Sequence, residues 1–137
     1  MDYFSPEEMK QHDGTPYPAE WLTDETRWPK LLTALNRIRQ EVGKPIRVLS
    51  GYRSVEYNAA MYQAQGKVPT NSQHSQGRAA DITWEGMNAT EMRDLVLRLY
   101  KAGEIEIGGL GRYVGQSFIH VDVREQEPPG HLAQWDG

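Results

Sequence analysis

The segment Phe118-Ile119-His120-Val121-Asp122-Val123 alternates branched apolar residues with other side chains, as a β-strand with one buried face does. Because successive side chains of a strand point to opposite faces of a sheet, the core-facing set should be Ile119, Val121 and Val123. The opposite face then carries Phe118, His120, Asp122 and Arg124. An imidazole, a carboxylate and a guanidinium in a row form either a solvated face with an incidental ion pair or part of a functional site.

The residues before this strand predict alternating helices and strands. Apolar residues at helical spacing, followed by glycines, predict helices over 28–42, from Ser54 to about 65, and from Asn88 to 103. Short runs rich in branched residues predict strands at 46–50, 79–83 and 104–107, and polar residues predict a loop over 67–78. Gly108, Gly109 and Gly111 predict either a tight turn into the last strand or a close approach of the backbone. This order favours an α+β fold, in which a small, largely antiparallel sheet has helices packed on one face.

Composition limits the classes of protein that fit. The chain has 137 residues and a net charge of −4, and Leu, Ile, Val and Phe make up about a fifth of it. We expect one loop-rich domain over residues 1–137 with a modest core. The slight acidity argues against nucleic acid as a partner, and no apolar run is long enough for membrane insertion. The opening residues lack the basic start and apolar stretch of a signal peptide.

The chain contains no cysteine, which excludes disulfides, thiol catalysis and thiolate zinc sites. Any metal ion must therefore be held by histidine or carboxylate side chains. His12 and His131 fall in irregular segments and are predicted to lie on the surface, although His131, near Trp135, could also line a cleft. Of the remaining histidines, His74 falls in the predicted loop that leads into the strand 79–83, and His120 falls in the last predicted strand.

A second polar cluster lies in Ser72-Gln73-His74-Ser75-Gln76-Gly77-Arg78-Ala79-Ala80-Asp81. Small residues between His74 and Asp81 allow the loop to pack closely against the sheet, so that the two side chains can converge. Taken alone, His74 could be a surface residue and Asp81 could accept backbone hydrogen bonds. A carboxylate inside an apolar strand is largely buried, however, and must be paired or hold a metal ion.

Together the two clusters supply His74, Asp81 and His120, which suit one catalytic zinc ion. Two imidazoles and one carboxylate leave a fourth tetrahedral position for water, and such a water ionises near neutral pH. Arg53, in Ser50-Gly51-Tyr52-Arg53-Ser54, lies where a strand meets a helix. It could direct its donors at a substrate carboxylate or a developing oxyanion, or simply pair with an acid at the helix start.

These motifs resemble the zinc peptidases that cut peptidoglycan stem peptides, a family that includes D-Ala-D-Ala carboxypeptidases and phage L-alanyl-D-glutamate endopeptidases. That family shares its fold with the amino-terminal signalling domain of hedgehog. The resemblance lies in the segment 50–53, in the spaced motif from Ser72 to Asp81, and in Ile119-His120-Val121-Asp122. The opening segment 3–8 is similar to the start of the compact, single-domain branch.

The resemblance implies that zinc is bound by His74, Asp81 and His120, and that Arg53 contacts the substrate carboxylate or the polarised carbonyl. Relatives that carry a catalytic Glu three residues before the last zinc ligand differ from this chain, which has Ser117 there. Asp122 is the available substitute, either as the general base or as a group that only orients the site. Arg124 shares its face and could hold Asp122 in place. The expected substrate contacts are Arg53, Ser72, Gln73 and Arg124, while Trp84 and Tyr113 either flank the cleft or pack in the interior.

The expected activity is zinc-dependent hydrolysis of a peptide bond in bacterial peptidoglycan stem peptides or cross-links, of the D,D or the L-Ala-D-Glu type. One alternative is a non-catalytic zinc-binding module on the same fold that binds peptidoglycan or another protein, which the serine at position 117 would favour. Another is a metal-free domain that serves only as an assembly part of a virion. We expect a monomer of the phage endolysin type, made in the host cytoplasm and acting on the cell wall. A virion-associated protein or one exported by another route are alternatives.

Overall fold

The computed structural model describes residues 2–68 and 72–137, so residues 69–71 of the predicted loop lie outside the described part. The helices are α1 (Trp28–Val42), α2 (Val55–Ala64) and α3 (Ala89–Lys101). The strands are β1 (Arg47–Ser50), β2 (Ala79–Thr83), β3 (Gly109–Tyr113), β4 (Phe118–Asp122) and β5 (Ala133–Asp136). Short 3-10 helices lie at Pro6–Met9, Ala19–Leu22, Gln73–Gln76 and Val114–Gln116.

The strands form one five-stranded sheet in the order β1-β2-β4-β3-β5. Every neighbouring pair is antiparallel except β3 and β5, which are parallel. The predicted α+β class and the largely antiparallel sheet are therefore confirmed. None of the helices in the described ranges is both long and apolar enough to cross a membrane.

The core lies between one face of this sheet and two helices. One buried cluster combines apolar side chains from both helices and from the inward face of the sheet. Its members include Leu31, Leu35 and Ile38 of α1, Met92, Val96 and Leu99 of α3, and Ile82, Ile119 and Val121 of the sheet. The residues of α1 recur every three to four positions, so the helix buries one continuous stripe. Among the described residues α2 contributes nothing to this cluster, and its Met61 and Tyr62 instead line a cleft on the opposite side of the sheet.

In the carboxyl-terminal third one predicted strand is wrong, and one of the two alternatives for the glycines is excluded. Residues 104–107 are not a strand, although Ile105 and Ile107 are buried in the core. Gly109 and Gly111 lie within β3 and not in a turn, which leaves the close approach of the backbone as the alternative that the structure confirms. Glycine is needed in this strand because neighbouring side chains leave no room for a Cβ atom. A Cβ on Gly109 would collide with the Asp122 carboxylate, and one on Gly111 would lie 2.6 Å from the Trp135 ring. The connection to β4 comes later, at Val114–Gln116, and ends at Ser117 with φ 55°.

Candidate metal centre

A single row of paired residues crosses all five strands and defines the face of the sheet opposite the core. Ser50 of β1 pairs with Asp81, Asp81 with His120, His120 with Gly111, and Gly111 with Trp135 of β5. Directly paired residues in adjacent strands point to the same face. The register alone therefore brings Asp81, His120 and Trp135 to one surface.

His74 joins this row from the 3-10 helix Gln73–Gln76. The Ser72 hydroxyl accepts a hydrogen bond from the His74 amide (3.2 Å) and so begins this short helix, which ends at Gly77 in the left-handed conformation with φ 70°. The buried Tyr17 hydroxyl donates to the Gly77 carbonyl (2.6 Å). His74 Nδ1 lies 2.7 Å from the Gly51 carbonyl, which sets the ring orientation.

The structure brings His74, Asp81 and His120 to one point. His74 Nε2 lies 3.2 Å and His120 Nδ1 lies 3.0 Å from the same oxygen, Asp81 Oδ1. All three candidate ligand atoms are within 4.8 Å of one another. Bonds of about 2.0–2.2 Å at tetrahedral angles separate ligand atoms by roughly 3.3–3.6 Å, and the two distances to Asp81 are close to that spacing, so a zinc-sized ion can be held here after a small adjustment of the side chains.

The positions of the imidazole hydrogens favour a cation between His74, Asp81 and His120. A carbonyl oxygen only accepts, so His74 Nδ1 carries the hydrogen that it donates to Gly51, and a neutral ring leaves a lone pair on Nε2. His120 Nε2 faces the Asp122 carboxylate in the same way, which leaves the lone pair of a neutral ring on Nδ1. Two nitrogen lone pairs and an ionised oxygen then converge, an arrangement that requires a proton or a metal ion between them.

The electrostatics favour ligand forms of His74 and Asp81. Burial lowers the pKa of His74, despite the opposing effect of Asp81, so its imidazole is neutral near pH 7. Burial opposes ionisation of Asp81, but the two imidazoles outweigh it and hold its pKa well below the usual range. His120 differs, because its two neighbouring carboxylates, Asp122 and Asp81, outweigh burial and raise its pKa.

Asp122 lies behind His120 rather than facing the cleft. Its side chain is fully buried, and Oδ2 accepts from His120 Nε2 (2.7 Å) and from Arg124 Nη2 (2.6 Å). Oδ1 accepts from the Arg124 amide (3.1 Å) and Nε (2.9 Å). Although burial opposes it, these bonds lower the pKa of Asp122 to about 2. Both oxygens are occupied, so the geometry favours the orienting alternative over the general base, with Arg124 holding Asp122 as expected.

Arg53 lies close to Asp81 without being tightly bound by it. Arg53 Nη2 is 4.0 Å from Asp81 Oδ2, and Nη1 is 3.8 Å from the Met61 sulfur. Its Nε is buried and has no hydrogen-bond partner among the described residues. A guanidinium held at the cleft with donors to spare is suited to bind an incoming carboxylate or carbonyl oxygen.

The cleft above these residues has a volume of about 690 Å³ and is rich in cations. Arg53, Lys67 and Arg124 line it, whereas Asp81 is the only acidic side chain among the described lining residues. All four expected substrate contacts line it: Arg53, Ser72, Gln73 and Arg124. The Gln73 Oε1 atom is buried and lacks a partner within the described ranges.

The positions of some cleft residues differ from those predicted from the sequence. His12, expected on the surface, is exposed but also lines the cleft, with Nε2 2.7 Å from the Leu49 carbonyl. Trp84 belongs to the core, whereas Tyr113 lines the cleft. The role of Trp135 was missed, because nothing local shows that residues 133–136 form a strand beside β3.

Most of this chain is similar in sequence to known proteins. The family profile described as peptidoglycan L,D-endopeptidase MepK matches residues 22–127. The peptidoglycan L,D-endopeptidase MepK of Escherichia coli strain K12 is 31% identical over 97 residues, which are 69% of this chain and 50% of that protein. The probable peptidoglycan L,D-endopeptidase MepK of Haemophilus influenzae is 30% identical over 112 residues, 80% of this chain and 54% of the relative.

The α+β fold and the His-Asp-His cluster thus occur in a chain that belongs to the peptidoglycan L,D-endopeptidase MepK family. The match includes all three candidate ligands, since residues 74, 81 and 120 fall within the matched range. The chain spans about half the length of the curated relatives it matches.

Proposed function

We propose that this protein is a metal-dependent endopeptidase that hydrolyses a peptide bond in bacterial peptidoglycan. The observation that carries the proposal is the convergence of His74, Asp81 and His120 at the floor of a cation-rich cleft, in a chain of this family. Peptidoglycan stem peptides are anionic, and a cleft lined by Arg53, Lys67 and Arg124 complements their carboxylates.

Zinc is the proposed metal. Two imidazole nitrogens and one carboxylate oxygen are a zinc donor set with an open position, and the chain has no cysteine for a closed structural site. When bound, such an ion polarises a carbonyl group and lowers the pKa of a water molecule to near neutrality.

The residues of the chain have distinct proposed roles. Arg53 binds the substrate carboxylate or the carbonyl oxygen. Its Nε has no hydrogen-bond partner among the described residues, and its Nη2 is 4.0 Å from Asp81 Oδ2, too far for a hydrogen bond. Asp122 is a positioning residue that fixes the His120 ring, because its oxygens already accept four hydrogen bonds. Ser72 and Gln73 lie on the cleft wall, where they contact the peptide.

The proposed scissile bond is of the L,D type, because the relatives are named as L,D-endopeptidases. The D,D and L-Ala-D-Glu bonds are the alternatives that the sequence motifs leave open. We also propose a phage-type lytic role, supported by the similarity of residues 3–8 to the compact branch of the peptidase family, with monomeric protein reaching the wall from the host cytoplasm. A loss of turbidity of permeabilised cells on adding the protein would support that role.

The test is digestion of purified peptidoglycan with zinc-loaded protein. The wild type should release fragments whose masses identify the bond, a chelator should stop release, and zinc should restore it. His120→Ala should be inactive, whereas His131→Ala, which changes an exposed histidine outside the cleft lining, should behave as wild type. Binding to peptidoglycan without metal-dependent release would contradict the proposal and favour a non-catalytic module.

A further inference from the structure

Tyr113 is held rigidly in the cleft on the same face as the candidate ligands. It pairs with Phe118 in the register of β3 and β4, two positions along from the pairing of Gly111 with His120. Its ring stacks on Phe118 with centroids 4.4 Å apart and planes 8° from parallel. Since side chains two residues apart along a strand share a face, Tyr113 and His120 open into the same cleft.

The hydrogen bond from Trp135 orients the Tyr113 hydroxyl. The indole N–H donates to the Tyr113 oxygen at 3.0 Å, and the same indole lies 5.0 Å from the His120 ring. An N–H that donates to a phenol oxygen leaves the phenol hydrogen free to point elsewhere. Within the described ranges this hydroxyl donates to no other group, so its hydrogen is available to a molecule in the cleft.

The surroundings of this hydroxyl suit a donor to a developing negative charge. Burial raises the pKa of Tyr113, and Asp81 acts in the same direction while Arg53 opposes it. A phenol ordinarily keeps its proton at neutral pH, which makes it a neutral donor. The donor is fixed before substrate arrives, because the Phe118 stack and the Trp135 bond already hold it.

We propose that the Tyr113 hydroxyl is a catalytic hydrogen-bond donor to the oxygen of the scissile carbonyl, and that Trp135 positions it. This rests on the proposed peptidase function. The attacking water has already lost its proton to solvent and reacts as hydroxide. As the hydroxide oxygen bonds to the carbonyl carbon, the π electron pair of C=O moves to the carbonyl oxygen, and Tyr113 stabilises that charge by a hydrogen bond without transferring its proton. Arg53 lies beside Met61 of α2 and Tyr113 lies on β3, and both line the cleft, so the proposal gives the carbonyl oxygen donors from two separate elements.

The first test is Tyr113→Phe, which keeps the stacked ring and removes the hydroxyl. We expect kcat to fall about 100-fold or more, as for loss of one oxyanion donor, with KM changed less than about threefold. Tyr100→Phe is the matched control, because the Tyr100 hydroxyl also accepts a side-chain N–H, from Gln126 at 2.8 Å, outside the cleft lining. Tyr100→Phe should retain wild-type kcat, and both variants should retain wild-type zinc content.

The second test is equilibrium binding. A phosphinate analogue of the cleaved peptide mimics the tetrahedral carbon, and Tyr113→Phe should weaken its binding about 100-fold while the unmodified product peptide loses less than about threefold. Trp135→Phe should lower kcat in the wild-type background but not further in Tyr113→Phe, because Trp135 acts through the hydroxyl.

The outcomes separate the two proposals. If zinc-loaded wild type releases no peptidoglycan fragments, the peptidase function fails before any variant is compared. If wild type is active and Tyr113→Phe keeps its kcat, the inference about Tyr113 is overturned alone. Equal weakening of phosphinate and product peptide would also overturn it, since Tyr113 would then be a binding residue with no preference for the transition state.

Discussion

His120 and Asp122 lie two residues apart on β4, and a 2.7 Å hydrogen bond joins His120 Nε2 to Asp122 Oδ2. This bond turns the other ring nitrogen, Nδ1, toward Asp81. The Arg124 guanidinium holds Asp122 from the other side and stacks over Trp135 at 5.1 Å. The orientation of His120 toward Asp81 therefore depends on a carboxylate that does not line the cleft.

Asp122→Asn is expected to weaken zinc binding 10- to 100-fold, roughly the cost of removing a group that orients a metal-bound histidine. Competition with a chromophoric chelator measures the affinity, and activity at saturating zinc should be largely retained. Asp94→Asn makes the same chemical change at an exposed ion pair with Arg93 and should leave affinity unchanged. Lost activity with unchanged zinc affinity would instead identify Asp122 as the general base.

Gly111→Ala is expected to displace Trp135, because the new Cβ would lie 2.6 Å from its ring. Overpacking of this kind costs about 1–3 kcal/mol in the free energy of unfolding. Gly115→Ala is the control, since a Cβ there meets nothing within 4 Å, and it should change stability by no more than about 0.5 kcal/mol. Urea denaturation of both variants measures the difference, and equal stabilities would contradict the packing argument.

Zinc removal is expected to lower stability without unfolding the chain, because the core on the other face of the sheet is independent of the site. At free zinc 1,000-fold above Kd, binding should stabilise the protein by about 4 kcal/mol, seen as a fall in Tm on adding chelator. His74→Ala should abolish that shift and His131→Ala should preserve it. A shift that persists in His74→Ala would place the metal elsewhere.

Tyr17→Phe is expected to destabilise the protein by about 1 kcal/mol at pH 7, through loss of its hydrogen bond to the Gly77 carbonyl. Burial raises the pKa of Tyr17 above its usual value of 10.0. A raised folded-state pKa contributes stability that is complete below pH 10 and declines as pH rises further, because the unfolded phenol ionises first.

The stability difference between wild type and Tyr17→Phe should therefore narrow above pH 10. Denaturant titrations from pH 7 to pH 11 measure it, and Tyr3→Phe, which changes a tyrosine that is 37% exposed, is the control. If the difference in the free energy of unfolding between wild type and Tyr17→Phe instead grew with pH, the phenol would not be buried in its neutral form.

The helices that pack on the sheet were predictable because their signals are local. The stripe of Leu31, Leu35 and Ile38, and the capping box of Asn88 with Glu91, depend on neighbours within one or two turns. The alternation in β4 likewise separates Ile119, Val121 and Val123 from the face that carries His120.

The pairing of the last strands was not predictable in the same way. The glycines at 109 and 111 indicate either a turn or a close approach of the backbone, but nothing near them identifies the groups that approach. These are Asp122 and Trp135, and Trp135 is 24 residues further along the chain than Gly111. Local propensity favours a turn at such a segment, but contacts that form only on folding make it a strand.

The sequence by itself determined the α+β class, the two amphipathic helices and the identity of the three residues that converge, because periodicity and residue chemistry are properties of the chain. Only the tertiary structure decided which nitrogen of His120 faces Asp81, why Asp122 lies behind that ring, and how Trp135 comes to hold the Tyr113 hydroxyl. Those relationships depend on strand register and side-chain packing between distant segments, where a displacement of one residue would turn each side chain to the opposite face of the sheet.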